Sequence, residues 1–533
     1  MSKKTGKKVP RGEPPQVSPP QFRANKDKLL YAPTEPNKKD EVEKSMNING
    51  QPFLKSQHDC LLVVTNREPI VLTGSQVKYP AGGVSQSLHR LLLKEGGIWI
   101  ATRDSEGPDQ VHIQSSEGAG YDLSRVSIPP HLKSDFYEGF SNDVLWPAFH
   151  GCPEFMAPAP SFYSSYDQVN HMFAQNIAKV LEKSTPSVVW IHDYQLTRVA
   201  LWLRKDQTPK LPPLAFFCHI PWPSKEHLIH ILEHKEIVEG LLAHDLIGFQ
   251  TEQDRENFLQ SVTAFIRNAE VLTDGMIRWN NRLIKVMSMP IGVDSVMFER
   301  MANNTRNLSR AHSLLTANKL GNNARFLISV DRMDYTKGFI QRFEILRQLF
   351  TTNPKLQGKI SLLQIAVPTR TGQKIYRNHQ EKIRQGVHAI NHEFGTKDWL
   401  PIISIEETFE QETLSGLYKL AEGALITSTI DGMNLVSQEF LASQNGGYGI
   451  LFLSRYTGTA TILKNAVSID PLDPTQSAER ISAELAMPRE ARRLRNLSLM
   501  EQVRQNDLAH WVSSLRKNIA SFSHSNTNKI MVA

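Results

Sequence analysis

The chain has 533 residues, 40% of them apolar and 22% charged, an ordinary soluble composition with length for two or more domains. Of its net charge of +7, residues 1–50 carry +5 (11 Lys+Arg against 6 Asp+Glu), and the remaining residues balance 50 against 48, a basic tail and not a nucleic-acid-binding face. No apolar run reaches membrane-spanning length, and Cys60, Cys152 and Cys218 form no CxxC pair, which argues against a membrane span, a disulfide framework and a zinc knuckle.

The first element is a tail. Residues 1–50 hold 7 of the 30 prolines and few apolar residues, so residues 1–55 are expected to be disordered. MSKKTGKKVPRGEPPQVSPP has the charge of a secretory signal without its apolar segment, and a cytoplasmic location follows as an expectation.

From Asp59 short apolar runs alternate with helical periodicity: DCLLVVTN, SQSLHRLLLKEGG, SVVWIHD, LAFFCHIP and DLIGFQT. Continuous apolar runs of this kind are buried parallel strands. A second series follows MPIGVD: RFLISVD, KISLLQIAV, PIISIEE, GALITST, GILFLS and AVSID. Two doubly wound α/β domains are expected, 56–290 and 291–487, joined near 289–294. A helical segment over 488–520 is expected to pack back on the first domain, followed by a tail over 521–533. Ligands of open α/β sheets sit at the carboxyl ends of the strands, so functional residues should stand just after strands and face a cleft between the domains.

Such residues occur in chain order. After the first strand come Asn66 and Arg67, then the loop AGG over 81–83. Gly82 and Gly83 either turn backbone N–H groups toward an anion at a helix N-terminus or make a plain turn. WIHDYQ and FFCHIPWP end strands in Asp193 and His219, both candidates for the cleft. The histidines of HLIHILEH, His227, His230 and His234, are at helical spacing, but no carboxylate or cysteine set accompanies them, and no metal is expected. DRMDYTKG puts Arg332 and Lys337 on a strand-to-helix loop, where they either converge on a diphosphate or form a solvated basic loop. In DGMNLVSQE, Asp431 and Glu439 are separated by eight residues, about 12 Å of helix, too far to share a proton or a metal. No GxGxxG or Walker A lysine motif follows any strand, which counts against nicotinamide and P-loop chemistry.

VLWPAFH, WIHDYQL, FFCHIPWPS, DLIGFQTEQDRENF, DRMDYTKG, DGMNLVSQE and NDLAHW together resemble the trehalose-6-phosphate synthase family of retaining glycosyltransferases, over about Cys60 to Ser514. The resemblance implies two Rossmann-like domains facing across a cleft, the GT-B type of fold, and transfer of glucose from a nucleoside-diphosphate donor to glucose 6-phosphate. It implies that Asp431 holds the donor glucose, Glu439 the ribose, and Leu435 and Val436 the diphosphate at a helix start. Gly82 and Gly83 would cradle the donor phosphates, Arg332 and Lys337 neutralise the leaving diphosphate, and Phe409 stand beside the base. On the acceptor side, Arg67, Tyr137 and Arg370 would hold the phosphate, Asp193 the hydroxyls, and Trp146 a position beside the acceptor ring. Asp193, His219, Arg332, Lys337 and Asp431 form the candidate catalytic set. No cofactor is implied.

The chain departs from the family at two places. Thr102, in GGIWIATRD, stands at an acceptor-side tryptophan, and Ile430 at a usual arginine. The family also includes glucosylglycerol-phosphate synthases, so glycerol 3-phosphate is the alternative acceptor, and a silent sugar-phosphate-sensing relative a third reading. Expected partners are a nucleotide sugar and a phosphorylated sugar or polyol, with neither nucleic acid nor membrane; a homo-oligomer is compatible with this.

Overall fold

Seven short strands rich in apolar residues pair in parallel to form the first sheet: β1 (Leu61–Val64), β2 (Ile98–Thr102), β3 (Tyr121–Val126), β4 (Val188–His192), β5 (Leu214–Phe217), β6 (Leu246–Phe249) and β7 (Arg282–Ser288). Their spatial order is β3-β2-β1-β4-β5-β6-β7, extended by antiparallel edge strands at Gln110–Ile113, Ala269–Val271 and Met276–Trp279. The computed structural model describes residues 60–530 apart from 74–75, 79–82, 105–106, 116–117, 322–323 and 445. The tail expected over 1–55 and the expectation for Gly82 therefore lie outside the described residues.

The second sheet is wholly parallel: β8 (Arg325–Arg332), β9 (Ile360–Val367), β10 (Ile402–Ile405), β11 (Gly423–Ile426), β12 (Ile450–Ser454) and β13 (Val467–Ile469). Its order, β10-β9-β8-β11-β12-β13, repeats the winding of the first. Helices cover both faces of each sheet, so each has a buried apolar cluster on either side. This is why β1, β4, β5 and β11 are buried at every position instead of alternating.

The winding reverses between β1 and β4 in one sheet and between β8 and β11 in the other. These switch points open a crevice at the strand ends. Arg67 follows β1 and Asp193 follows β4; Lys337 follows β8 and Asp431 follows β11. The four residues thus stand at the two places where a doubly wound sheet exposes backbone.

The carboxy-terminal region differs from the single stretch expected over 488–520. It forms two helices, Arg489–Gln505 and Leu508–Ile530. Leu499, Met500 and Val503 of the first pack into the core of the second sheet, whereas Leu508, Trp511, Val512, Leu515 and Ile519 of the second pack on the first. The break falls at Asn506 and Asp507, whose backbone lies so close to Gly292 that a Cβ there would stand 1.9 Å from the Asn506 carbonyl. The last helix runs past residue 520, where a tail was expected, because no Gly or Pro interrupts it before Ile530.

Candidate active site

The β8 end and its loop build one wall. Lys337 lies in a short 3-10 turn, and its Nζ donates to Asp431 Oδ2 at 2.6 Å. The same oxygen accepts from Ser428 Oγ at 3.2 Å and Asn434 Nδ2 at 3.1 Å. Burial would raise the Asp431 carboxyl, but the Lys337 charge and the bonds from Lys337 and Asn434 outweigh it and hold the group below its ordinary value. Asn434 has a second duty: its Oδ1 accepts from Ser437 N at 3.0 Å, capping the helix Leu435–Ala442. The nine residues from 431 to 439 are therefore a loop, a cap and a helix, with Asp431 at its mouth and Glu439 inside it.

Glu439 stands in a different environment. It is 6% exposed, accepts from Tyr418 Oη at 3.2 Å, and burial pushes its carboxyl up to about 7 against the pull of that bond and of the Arg90 charge. Phe409, Leu435 and Val436 are partly buried on the same core face of the second sheet, and Gly83 opens the helix Gly83–Glu95.

Trp146 joins the domains. It lies at the end of a helix running over 130–149, wound as a π-helix over Ser134–Leu145, which also carries Tyr137. The Arg370 guanidinium lies 4.0 Å from the Trp146 ring centroid and that of Arg332 5.6 Å from it. Arg67 donates to Tyr137 Oη and lies over its ring. Burial would raise the Tyr137 phenol, yet the charges of Arg67, Arg370 and Arg332 hold it below its ordinary value. The field here is positive. Asp334 neutralises Arg370 at 3.2 Å as Asp431 does Lys337, but among the described residues neither Arg67 nor Arg332 has a carboxylate at ion-pair distance.

Asp193 is held in a strained backbone, φ 76° and ψ 166°, a region that costs about 1–3 kcal/mol for a residue with a Cβ. Its N–H donates to the Phe217 carbonyl at 2.8 Å and its Oδ1 accepts from His219 N at 3.2 Å. Burial pushes its carboxyl up to about 6, opposed by the Tyr194 and His219 N–H groups and by the Arg332 and Arg370 charges. Arg370 (φ 47°) and Asn434 (φ 77°) are likewise left-handed. His219 pairs with His192, Nε2 to Nδ1, at 3.0 Å.

The structure thus brings together Arg67, Tyr137, Trp146, Asp193, Arg332 and Arg370, with the Lys337–Asp431 pair on the adjoining loops. Sequence reasoning assigned no part to Asp334, His150, Tyr194 or Tyr376. Asp334 accepts from Arg370 and Tyr376, His150 Nδ1 donates to the Trp146 carbonyl at 2.7 Å, and Tyr194 Oη is 3.4 Å from Arg370. Three of these lie inside the quoted strings, where the only signal was proximity to a candidate; Tyr376, on the helix Lys374–Phe394, had none. Beside Arg67 and Tyr137 opens a cavity of about 250 Å³, lined also by Asn66, Thr102, Lys133 and Phe136. Among the described residues no group of three His, Cys, Asp or Glu gathers as metal ligands.

Residues 61–521 match glycosyltransferase family 20. The chain is 30% identical over 455 residues to a trehalose-6-phosphate synthase of Sodalis glossinidius, covering 85% of this chain and 94% of that one. It is similar to the solved structure of an α,α-trehalose-phosphate synthase (UDP-forming) of Burkholderia xenovorans in complex with glucose-6-phosphate, at 29% identity and a TM-score of 0.78 over 86% of this chain and 100% of that one. An E. coli structure described as trehalose-6-phosphate bound with UDP-2-fluoro glucose matches at 26% identity and a TM-score of 0.76, over 87% of this chain and 99% of that one.

Proposed function

The chain belongs to glycosyltransferase family 20, and from that membership we propose that it is a retaining glucosyltransferase making α,α-trehalose 6-phosphate from UDP-glucose and glucose 6-phosphate. The observation that carries this is the meeting of a positive field with carboxylates at both switch points. Two cations without carboxylate partners suit two phosphate-bearing substrates, and of the two solved structures named above one is UDP-forming and in complex with glucose-6-phosphate and the other is bound with UDP-2-fluoro glucose.

Arg67, Tyr137 and Arg370 hold the acceptor phosphate, with Asp193 accepting from acceptor hydroxyls and Trp146 lying against the ring. Arg332 and Lys337 take the donor diphosphate, which lies between Asp431 on the glucose and Glu439 on the ribose, near the N–H groups of Leu435 and Val436. Gly82 and Gly83 approach the donor phosphates, and Phe409 the base. When the donor binds, Lys337 moves its charge from Asp431 to the diphosphate, freeing Asp431 for sugar hydroxyls. A double displacement would need a carboxylate nucleophile beside the anomeric carbon. Asp431 is taken up by the hydroxyls of the donor sugar and Glu439, inside the helix Leu435–Ala442, by the ribose; a front-face substitution therefore fits better. The glucosyl centre becomes oxocarbenium-like, the bond to the diphosphate oxygen breaks, and that oxygen takes the acceptor proton as the glycosidic bond forms on the same face. Arg332 and Lys337 stabilise the leaving charge. Nucleotide sugars and sugar phosphates are cytoplasmic metabolites, which supports that location, and trehalose made from the product would serve osmoprotection.

A panel assay tests the reading: UDP-, GDP- and ADP-glucose, each against glucose 6-phosphate and glycerol 3-phosphate, with the anomeric configuration read by NMR. The highest kcat/KM is expected for UDP-glucose with glucose 6-phosphate, and an α,α product. A tenfold or greater preference for glycerol 3-phosphate would replace the trehalose reading with the glucosylglycerol one.

A further inference from the structure

His192 ends β4 and His219 stands two residues beyond β5. Their rings lie 5.2 Å apart with 22° between planes, joined by the 3.0 Å bond between His192 Nδ1 and His219 Nε2, one of which carries the proton. Burial pushes His219 down to about 3 and His192 well below its ordinary value, so the pair is neutral at physiological pH. The bond ties the two strand ends between which Asp193 is strained.

One side chain from the far end of the sequence closes this assembly. Trp511, 1% exposed on the last helix, lies 4.4 Å from Trp190, 4.9 Å from Phe217, 6.0 Å from His192 and 6.1 Å from His219 between ring centroids. Its helix is fixed to the first domain by Arg516 on Glu95 at 2.6 Å and Lys285 on Asn518 at 2.6 Å. The His219 main chain in turn meets both sides of the cleft. Its N–H donates to Asp193 Oδ1, and its carbonyl comes so close to Gly432 that a Cβ there would stand 2.4 Å away. A shift of His219 would therefore move the Asp193 carboxylate and the loop bearing Asp431 together.

We infer that Trp511 is a positioning residue for the acceptor side of the cleft, acting through the His192–His219 pair to hold Asp193 in its strained, productive orientation. This rests on Asp193 binding the acceptor, as proposed above. The indole fills the space behind both imidazoles. A smaller side chain leaves the rings free to turn, the bond between them is lost, and the strain at Asp193 relaxes. This packing reaches the donor segment through Met433 and Leu435, but Lys337 and Glu439, which take the diphosphate and the ribose, are not part of it, so UDP affinity changes far less than the acceptor kinetics.

The test compares Trp511→Leu, Trp511→Phe and His192→Phe in the full chain, by steady-state kinetics with both substrates, calorimetric UDP binding and thermal melts. For Trp511→Leu and His192→Phe, kcat/KM for the acceptor is expected to fall roughly tenfold to a hundredfold, the scale for a reacting group displaced by about 1 Å. UDP affinity should stay within about twofold, and Trp511→Phe should recover most of the loss. Unchanged acceptor kinetics in His192→Phe, or an equal loss of donor and acceptor affinity that follows the fall in melting temperature, would overturn the inference. Should Trp511→Leu fail to fold, His192→Phe alone decides, since it keeps a ring and removes only the bond. The acceptor is whichever phosphorylated compound the wild type uses best, so a wild type inactive on glucose 6-phosphate but active on another acceptor overturns the trehalose reading and leaves this inference to its own measurement.

Discussion

Single side chains divide the carboxylates of this cleft into two kinds. Asp431 and Asp334 are held ionised by cations, whereas Asp193 and Glu439 are pushed toward neutrality by burial. For Glu439 the sign follows directly. Its folded value of about 7 lies above the ordinary 4.5, so between these values the folded protein binds the extra proton and stability falls as pH rises through the window, by on the order of 3 kcal/mol in all. Glu439→Gln removes that loss: it should melt above the wild type at pH 8 and at the same temperature near pH 4, while binding UDP more weakly. The wild type should also release a proton when UDP binds below pH 7, visible as a dependence of the calorimetric enthalpy on buffer ionisation. An enthalpy independent of buffer would show that Glu439 is ionised before the nucleotide arrives. Thr102 makes a second case. It lines the cavity beside Arg67 and Tyr137, and Thr102→Trp would fill it. About 40 Å² of apolar cover at 25 cal/mol per Å² is about 1 kcal/mol, so KM for glucose 6-phosphate should fall about fivefold. A rise in KM at unchanged melting temperature would mean that the acceptor itself occupies the cavity.

At the scale of elements, the loop that follows β8 is set by a glycine. Gly338 has φ +65°, and a Cβ there would stand 1.9 Å from the Thr427 carbonyl, on the segment that leads to Asp431. The close approach also lets Thr427 Oγ1 donate to the Lys337 or Gly338 carbonyl at 3.2 Å. Gly338→Ala must therefore push the β8 and β11 loops apart and separate Lys337 from Asp431. It should lower the melting temperature and reduce kcat at least about tenfold, the effect of a misplaced charge partner. Gly358→Ala is the control, with φ +72° and nothing within 4 Å of its Cβ. It carries only the backbone cost of about 1–2 kcal/mol and should leave kcat unchanged; an equal loss of activity in both would detach Gly338 from the site.

Across the whole molecule, Gln373 makes two of the polar contacts between the two domains. Its Nε2 donates to Asp143 Oδ1 at 2.6 Å and to the Glu138 carbonyl at 3.2 Å, both on the π-wound helix that carries Tyr137. Gln373→Ala should raise the acceptor KM roughly threefold to tenfold, the worth of one hydrogen bond of about 0.5–1.5 kcal/mol, with UDP affinity unchanged. Steady-state kinetics and calorimetry check this, and an altered UDP affinity would show that the contact governs closure of the whole cleft.

The apolar strings determined much of this by themselves. A strand buried on both faces must be apolar throughout, so β4, β5, β8 and β11 could be recognised without any contact being known, and the polar residue after each had to face the cleft. That logic reached Arg67, Asp193, Lys337 and Asp431. It passed over β3, YDLSRV, because Asp122 and Arg125 interrupt the apolar run; Asp122 is paired by His112 opposite it on the edge strand Gln110–Ile113, and Arg125 by Glu68 after β1. Asp334 escaped notice for the same reason, since its value lies in Arg370, which reaches it only once β8 and β9 lie side by side; Tyr376 is only six residues beyond Arg370 but stands in no motif. The break at Asn506 likewise depends on Gly292, more than two hundred residues away. Short-range patterning follows from the period of a strand or helix and is written locally; partners for buried charge, and the backbone approaches that need glycine, exist only after distant segments have packed.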